Sequence, residues 1–342
     1  MDLFAFARVL IDLDSTTGKE RAVGDLLYDA LEARARAHGG TVERMPVTEE
    51  RFNVFAAWGE PAVVISTHFD TVPPFFPSSE DEEHIHGRGA CDTKGGIAAM
   101  LAALDALLAA GRRGFGILLL VGEETDSIGA QVANEQPRGA RYLVNGEPTE
   151  NRLALGSKGA LYLDIEAEGR AAHSAYPELG DSAIDRLLAA LARLRALSLP
   201  SDPILGETTL NIGTLAGGRA ANVIADRARA EVMLRTVGSS AELLPALREA
   251  IEGGAAGGAG AGLRIAAWRE TPAIYLGALP GFETCVVKYT TDIPRLSRWG
   301  EPFLLGPGSI HVAHTPHERV AKRELVQAAE LYRSLVEVLL DR

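Results

Sequence analysis

The sequence predicts an α/β protein: a mixed, largely parallel sheet flanked by helices, interrupted by a smaller α+β domain. Two observations carry this expectation. Up to about residue 157, short apolar strands alternate with helices, the order that builds a largely parallel sheet covered on both faces. From about 158 to 270 the order becomes β-α-β-β-α-β, the split, ferredoxin-like pattern of a complete small domain. The expected division is therefore 1–157 with 271–342 as one domain and 158–270 as an insert. A length of 342 residues suits about two domains.

Residues 1–37 read as helical, broken at DSTTGKE. There Ser15, Thr16 and Thr17 offer an N-cap, and Glu20 places a negative charge in the turn that follows. NVFAAWG and PAVVIST read as strands separated by a Gly-Glu turn. GGIAAMLAALDALLAAG, 95–111, is rich in Ala and Leu and stops at Gly111, so it reads as a helix. The strand FGILLLV, a short helix near 127–135 and the strand YLVNGEP follow. In the insert, GALYLDIEAEG alternates like an antiparallel strand with one solvated face. SAIDRLLAALARLRAL is an amphipathic helix, TTLNIGTLAGG and ARAEVMLRTV are strands, SAELLPALREAIEGG is a second helix, and LRIAAWRE is the last strand. The low-complexity run GGAAGGAGAG, 253–262, reads as a flexible connection without chemistry. RELVQAAELYRSLVEVLL closes the chain as a helix, and no internal repeat is visible.

Hydrophobic residues make up 46% of the chain and charged residues 23%, the balance of a soluble globular protein. A net charge of −12 argues against non-specific binding to nucleic acid or to an anionic membrane. Cys91 and Cys285 lie far apart and form no CxxC, so a reduced, cytoplasmic setting is expected. The start, MDLFAFARVL, lacks a basic segment and a small-residue cleavage site, so no secretory signal is expected. FGILLLVG is far too short to span a bilayer.

The chemistry is concentrated where strands end. STHFDTVP ends an apolar strand on His68 and Asp70, and side chains two residues apart point to one face. For this fragment alone, a turn capped by Asp70 is the alternative. GRGACDTKGG puts Asp92 in a Gly-rich turn before a helix, LLLVGEETDS puts Glu123 and Glu124 directly after a strand, LVNGEPTE does the same with Glu147, and SIHVAHTPHE puts His314 in a loop before the last helix. Singly, Glu123–Glu124 and Glu147 read as solvated turns and Asp92 as a helix cap. Together they crowd carboxylates at one edge of a sheet, which is costly unless a cation holds them. Histidines and carboxylates without cysteine suit zinc or a similar first-row metal. Five candidate ligands exceed what one four-coordinate ion with an open position needs; two ions sharing one carboxylate would use them all, held about 3.5–4 Å apart.

HFDTVP, GRGACDTKGG, GEET, NGEPT, GRAAHSAYPELG and GPGSIHVAHTPHE, in this order and spacing over nearly the whole chain, resemble the dinuclear zinc amidohydrolases. That family includes acetylornithine deacetylase, succinyl-diaminopimelate desuccinylase, aminoacylase and glutamate carboxypeptidase. The resemblance implies a zinc-exopeptidase-like catalytic domain and an inserted lid that also forms a homodimer. It implies two Zn²⁺ ions, with Co²⁺ or Mn²⁺ as substitutes. His68, Glu124, Glu147 and His314 would be ligands, Asp92 the bridging ligand, Asp70 the residue that orients His68, and Glu123 the general base. The family's cis peptide would fall at Asp92–Thr93. His314 is preferred to His311 and His317 because it holds the AH position of the motif, while His84 and His86 read as hairpin residues. In the insert, His173 resembles a lid histidine that stabilises an oxyanion, and Asn222 and Arg235 resemble substrate contacts. A substrate carboxylate would meet Arg235 or the GPGS loop from Gly306 to Ser309. Ala225 stands where the family often has Pro, and Met233 where it often has Asp; neither removes a ligand.

The implied reaction is hydrolysis of the amide bond of a small N-acyl amino acid. A water acidified by two zinc ions loses its proton to Glu123 and attacks the carbonyl. GEPT and the following SKG, Ser157 to Gly159, look most like the acetylornithine deacetylase branch. Desuccinylation and exopeptidase action on dipeptides or C-terminal glutamate are rivals within the class. Hydrolysis of an aminoacylated carrier protein, and a catalytically silent binding protein that keeps the fold, are rivals outside it.

Overall fold

The computed structural model describes residues 2–253 and 262–342. The glycine-rich run 253–262, read above as a flexible connection, lies almost wholly outside the described residues. Two compact units are present. One comprises Met1–Leu155, Leu276–Cys285 and Thr291–Arg342, and the other Gly156–Tyr275 and Val286–Thr290.

The first unit is built on a six-stranded sheet. In spatial order its strands are Thr41–Pro46, Phe52–Trp58, Phe115–Leu120, Val63–His68, Tyr142–Asn145 and Glu301–Leu304. The first three run antiparallel to one another, and the remaining pairings are parallel. The strands in the middle are buried along their whole length, as apolar runs covered on both faces should be. Alternate residues separate cleanly. Phe115, Ile117 and Leu119 join a core with the helices Leu3–Ile11, Arg21–His38, Lys94–Ala109 and Lys322–Leu340. Leu118 and Leu120 join the opposite core, with Ala130 and Ala133 of the helix Ile128–Glu135 and with Trp299.

Thr41–Pro46 was not expected. Its sequence, TVERMP, buries only Met45, and it lies at the sheet edge, where one covered side chain suffices. A second difference concerns DSTTGKE. Glu20 occupies the cap position of Arg21–His38 and no side chain caps that helix. Ser15 Oγ instead donates to the Phe69 carbonyl at 2.6 Å, and Thr17 Oγ1 to Asp70 Oδ2 at 2.7 Å. The hydroxyls read as caps fasten the end of the His68 strand.

In the second unit, an antiparallel sheet runs in the order Thr209–Gly217, Arg227–Thr236, Gly159–Glu168, Leu263–Thr271. Leu161, Leu163, Ile165, Val232 and Leu234 bury one face of it against the helices Ala183–Arg195 and Ser240–Glu252. The β-α-β-β-α-β order is the one that the alternation pattern predicts. No helix among the described residues is long and apolar enough to cross a membrane.

Leu119 is fully buried in a strand paired on both sides. Leu119→Ala is expected to destabilise the first unit by about 2–5 kcal/mol through lost burial and a cavity. Chemical denaturation followed by tryptophan fluorescence measures this, and an unchanged midpoint would contradict the core assignment.

Candidate metal centre

The ends of parallel strands bring the centre together. Ser66 is in parallel register with Asn145, so His68 and Glu147 each lie two residues past the same pair. His68 is in register with Leu120 on its other side, with Glu123 and Glu124 just beyond the strand. Between them Gly122 turns the chain at φ 79°, where a Cβ would press on Arg51 and Ile128. Asp92 stands directly before the helix Lys94–Ala109, and its peptide bond to Thr93 is cis. His314 lies in the loop before the strand Arg319–Ala321, in left-handed backbone at φ 61°.

These side chains form two groups with one member in common: His68, Asp92 and Glu147, and Asp92, Glu124 and His314. Within each group the candidate donor atoms all lie within 4.8 Å of one another. The two oxygens of Asp92 are divided between the groups. Oδ1 is 3.1 Å from His68 Nε2, and Oδ2 is 3.1 Å from His314 Nε2. Glu124 Oε1 lies 3.0 Å from the same His314 nitrogen, and Glu147 Oε1 lies 3.8 Å from His68 Nε2. His311 and His317 belong to neither group.

Burial pushes the carboxyls of Glu123 and Glu147 well above the usual carboxylate range, and neighbouring carboxylates add to the effect. Glu124 is raised by burial and by the charge of Asp92. For Asp92 burial works against ionisation, yet the imidazoles of His314 and His68 hold it below the usual range. Asp92 and Glu124 in turn push His314 up to about 10.

Asp70 ties the His68 and Glu123–Glu124 segments together. Its Oδ1 is 3.4 Å from His68 Nδ1. The same oxygen accepts the N–H of Glu123 at 3.0 Å, and Oδ2 accepts the N–H of Glu124 at 3.2 Å. Burial opposes the charge of Asp70, but His68, Thr17 and the Glu124 N–H keep its carboxyl below the usual range. His68 Nδ1 lies closer still to the Asp70 carbonyl, at 3.1 Å, so Asp70 holds the imidazole through its main chain and the Glu123–Glu124 backbone through its carboxylate.

The donor set fits divalent cations. Glu147 Oε1 is buried with no hydrogen-bond partner, which costs free energy unless something else satisfies it. Two three-donor groups of imidazole and carboxylate sharing one carboxylate suit a pair of zinc-like ions and leave coordination positions open.

Gly306 and Ser309 organise the neighbouring loop. The Gly306 carbonyl accepts the N–H of Thr149 and of Asn151, and Ser309 Oγ donates to Glu150 at 2.9 Å. In the second unit, His173 and Asn222 sit on adjoining segments, with Ser174 N–H donating to the Asn222 carbonyl at 3.0 Å. His173 Nδ1 accepts the N–H of Ala175 at 3.1 Å. Arg235 lies on the strand Arg227–Thr236, and its Nη1 is buried without a hydrogen-bond partner.

Sequence reasoning missed Thr17, whose hydroxyl was assigned to a helix cap. It also missed Asp292, a buried carboxyl pushed up to about 7 by burial, whose charge adds to the raising of Glu123 and Glu147. Its sequence setting, YTTDIPR, carries no ligand spacing that would single it out.

The model of the peptidase family M20/M25/M40 matches residues 64–338. The chain belongs to this family. It is 38% identical over 373 residues to a probable carboxypeptidase of Aspergillus terreus, covering 97% of this chain and 85% of that one. Its fold is similar to that of a tripeptidase from Staphylococcus aureus, with a TM-score of 0.81 at 21% identity over 99% of this chain and 98% of that one. It is also similar to the YXEP protein of Bacillus subtilis, described as a dinuclear metal-binding peptidase of the M20 family, with a TM-score of 0.73 at 17% identity over 99% and 98% of the two chains. The protein is thus an M20-family metallopeptidase with a mixed sheet flanked by helices and candidate ligand groups for metal.

Metal binding needs neutral imidazole and ionised carboxylate. A proton held by His314 up to about 10 competes with the ion at neutral pH, and the competition weakens as pH rises. Zinc loading of stripped protein at pH 7 is therefore expected to release protons and to tighten toward pH 9. Calorimetry in buffers of different ionisation enthalpy measures this, and proton uptake or pH-independent affinity would contradict the ligand assignment.

Proposed function

We propose that this M20-family enzyme hydrolyses the amide bond next to a free C-terminal carboxylate in small substrates: N-acyl amino acids and short peptides. The observation that carries the hydrolytic part is the division of Asp92 between two ligand groups, with Glu123 beside them. The carboxylate preference is supported by the buried, unpartnered Nη1 of Arg235, a donor suited to an anionic oxygen. Relatives named probable carboxypeptidases agree with it. Removal of an acetyl group from ornithine is the narrower reading, supported by the GEPT and SKG segments.

In this reading His68, Asp92 and Glu147 hold one ion, Asp92, Glu124 and His314 hold the second, and zinc is the native metal. The bound pair would acidify a water and polarise the scissile carbonyl. Glu123 does the proton work. Burial raises its carboxyl well above the usual range, which suits a group that takes a proton from the attacking water and returns it to the leaving amine. Asp70 keeps Glu123 in place through the backbone bond at 3.0 Å. By the resemblance, His173 of the insert would stabilise the developing oxyanion. By the same resemblance, Arg235 and Asn222 of the insert would contact substrate, and so would the GPGS loop from Gly306 to Ser309. The strand Thr209–Gly217 is an exposed sheet edge, a surface suited to pairing with a second copy, and this supports the proposal of a homodimer through the insert.

Glu123→Gln is expected to retain both ions while kcat falls by at least ~10²; near-normal turnover would remove Glu123 from its role. A panel of N-acetyl and N-succinyl amino acids, dipeptides and tripeptides, each as free acid and as C-terminal amide, tests the substrate class. Free acids are expected to be cleaved and amides spared. Equal cleavage of both would contradict the carboxylate preference.

A further inference from the structure

The GRGACD and HTPHE segments each contain a residue that the reading above leaves unused. Arg88 and Glu318 form a buried ion pair, with Arg88 Nη1 2.5 Å from Glu318 Oε2. The other oxygen, Oε1, accepts backbone N–H groups from the Asp92 loop: Gly89 at 2.9 Å, Cys91 at 3.3 Å and Asp92 itself at 3.3 Å. The Glu318 carbonyl also accepts the N–H of Gly87 at 3.1 Å. The next residues, Arg319–Ala321, pair with the strand His84–His86. Arg88 is fixed in its turn, by Nε to the Pro74 carbonyl at 3.2 Å and by its guanidinium over the Phe76 ring.

The consequence lies in the chain order. Glu318 is four residues after His314 and grips the backbone of Asp92. It thereby joins the two loop segments whose side chains meet at 3.1 Å, Asp92 Oδ2 to His314 Nε2. His68 and Glu147 need no such device, because their spacing follows from the register of adjacent sheet strands. Asp92 and His314 come from loops, and a loop ligand is only as well placed as the bonds that hold its backbone.

We propose that the Arg88–Glu318 pair is a positioning device that sets the distance between Asp92 and His314, and so sets the affinity of the Asp92/Glu124/His314 group for its ion relative to that of the His68/Asp92/Glu147 group. This rests on the two-ion reading above. Neither residue belongs to a candidate donor group. Arg88 neutralises a carboxylate that would otherwise be buried unpaired, and Glu318 uses that carboxylate to fix three main-chain N–H groups of the loop.

Two double variants separate positioning from simple stability. Arg88→Met with Glu318→Gln removes both charges but keeps an acceptor oxygen at 318. Arg88→Met with Glu318→Leu removes both charges and the acceptor. Neither leaves an uncompensated charge buried, so folding is expected in both. Stripped full-length protein is titrated with Zn²⁺ by calorimetry, and thermal unfolding is recorded alongside. The Gln variant is expected to bind two ions much as the wild type does. The Leu variant is expected to weaken the first ion slightly, because Asp92 belongs to both groups, and the second by ~10–100-fold, because both of its loop donors lose their support. Equal second-ion affinity in the two variants would overturn the proposal, as would parallel weakening of both ions, which is the mark of a general loss of structure. Fewer than two ions on the wild-type protein would instead defeat the two-ion reading, and the proposal with it.

Discussion

Crowding of negative charge at one rim of a sheet is the constraint on which the rest of the structure depends. Asp70, Asp92, Glu123, Glu124 and Glu147 converge there, most of them buried, with the imidazoles of His68 and His314 among them. Carboxylates so placed repel one another and lose hydration. The protein answers unevenly. Asp70 and Asp92 are held ionised by hydrogen bonds and imidazoles, whereas burial favours the protonated form of Glu123 and Glu147. A pair of cations would relieve the strain of the ligand carboxylates. Glu123 would then remain the carboxyl free to exchange protons, so a single electrostatic arrangement would serve both the proposed binding and the proposed acid–base work.

Precision is supplied from outside the candidate ligands. Strand register places His68 and Glu147, and the turn at Gly122 with the two N–H bonds to Asp70 places Glu123 and Glu124. Thr17, on the segment between the first two helices, steadies Asp70. Glu318, backed by Arg88, does the same for the Asp92 loop. Candidate ligands on the sheet and in the loops are thus held by different means.

Much of this was legible in the sequence because apolar runs end abruptly on ligand-type residues. PAVVIST running into His68 and FGILLLV running into Glu123–Glu124 reveal both the strand and the site at its end. Three things were not legible. Thr41–Pro46 is an edge strand that buries a single side chain, so it carries no alternation. Ser15 and Thr17 sit where helix caps sit, and only the fold reveals that their hydroxyls reach residues more than fifty positions away. Arg88 and Glu318 are 230 residues apart, and nothing local marks either as the other's partner. Hydrophobic period reports what faces a core, and ligand chemistry reports what faces a metal. Neither reports the hydrogen bonds that hold one loop against another.

The central claim is that Asp92 is shared by two ions. Diffraction at the zinc absorption edge from crystals of zinc-loaded protein tests it most directly. The account predicts two anomalous peaks, one among His68, Asp92 and Glu147 and one among Asp92, Glu124 and His314, with the carboxylate of Asp92 between them. A lone peak, or peaks away from these side chains, would contradict it.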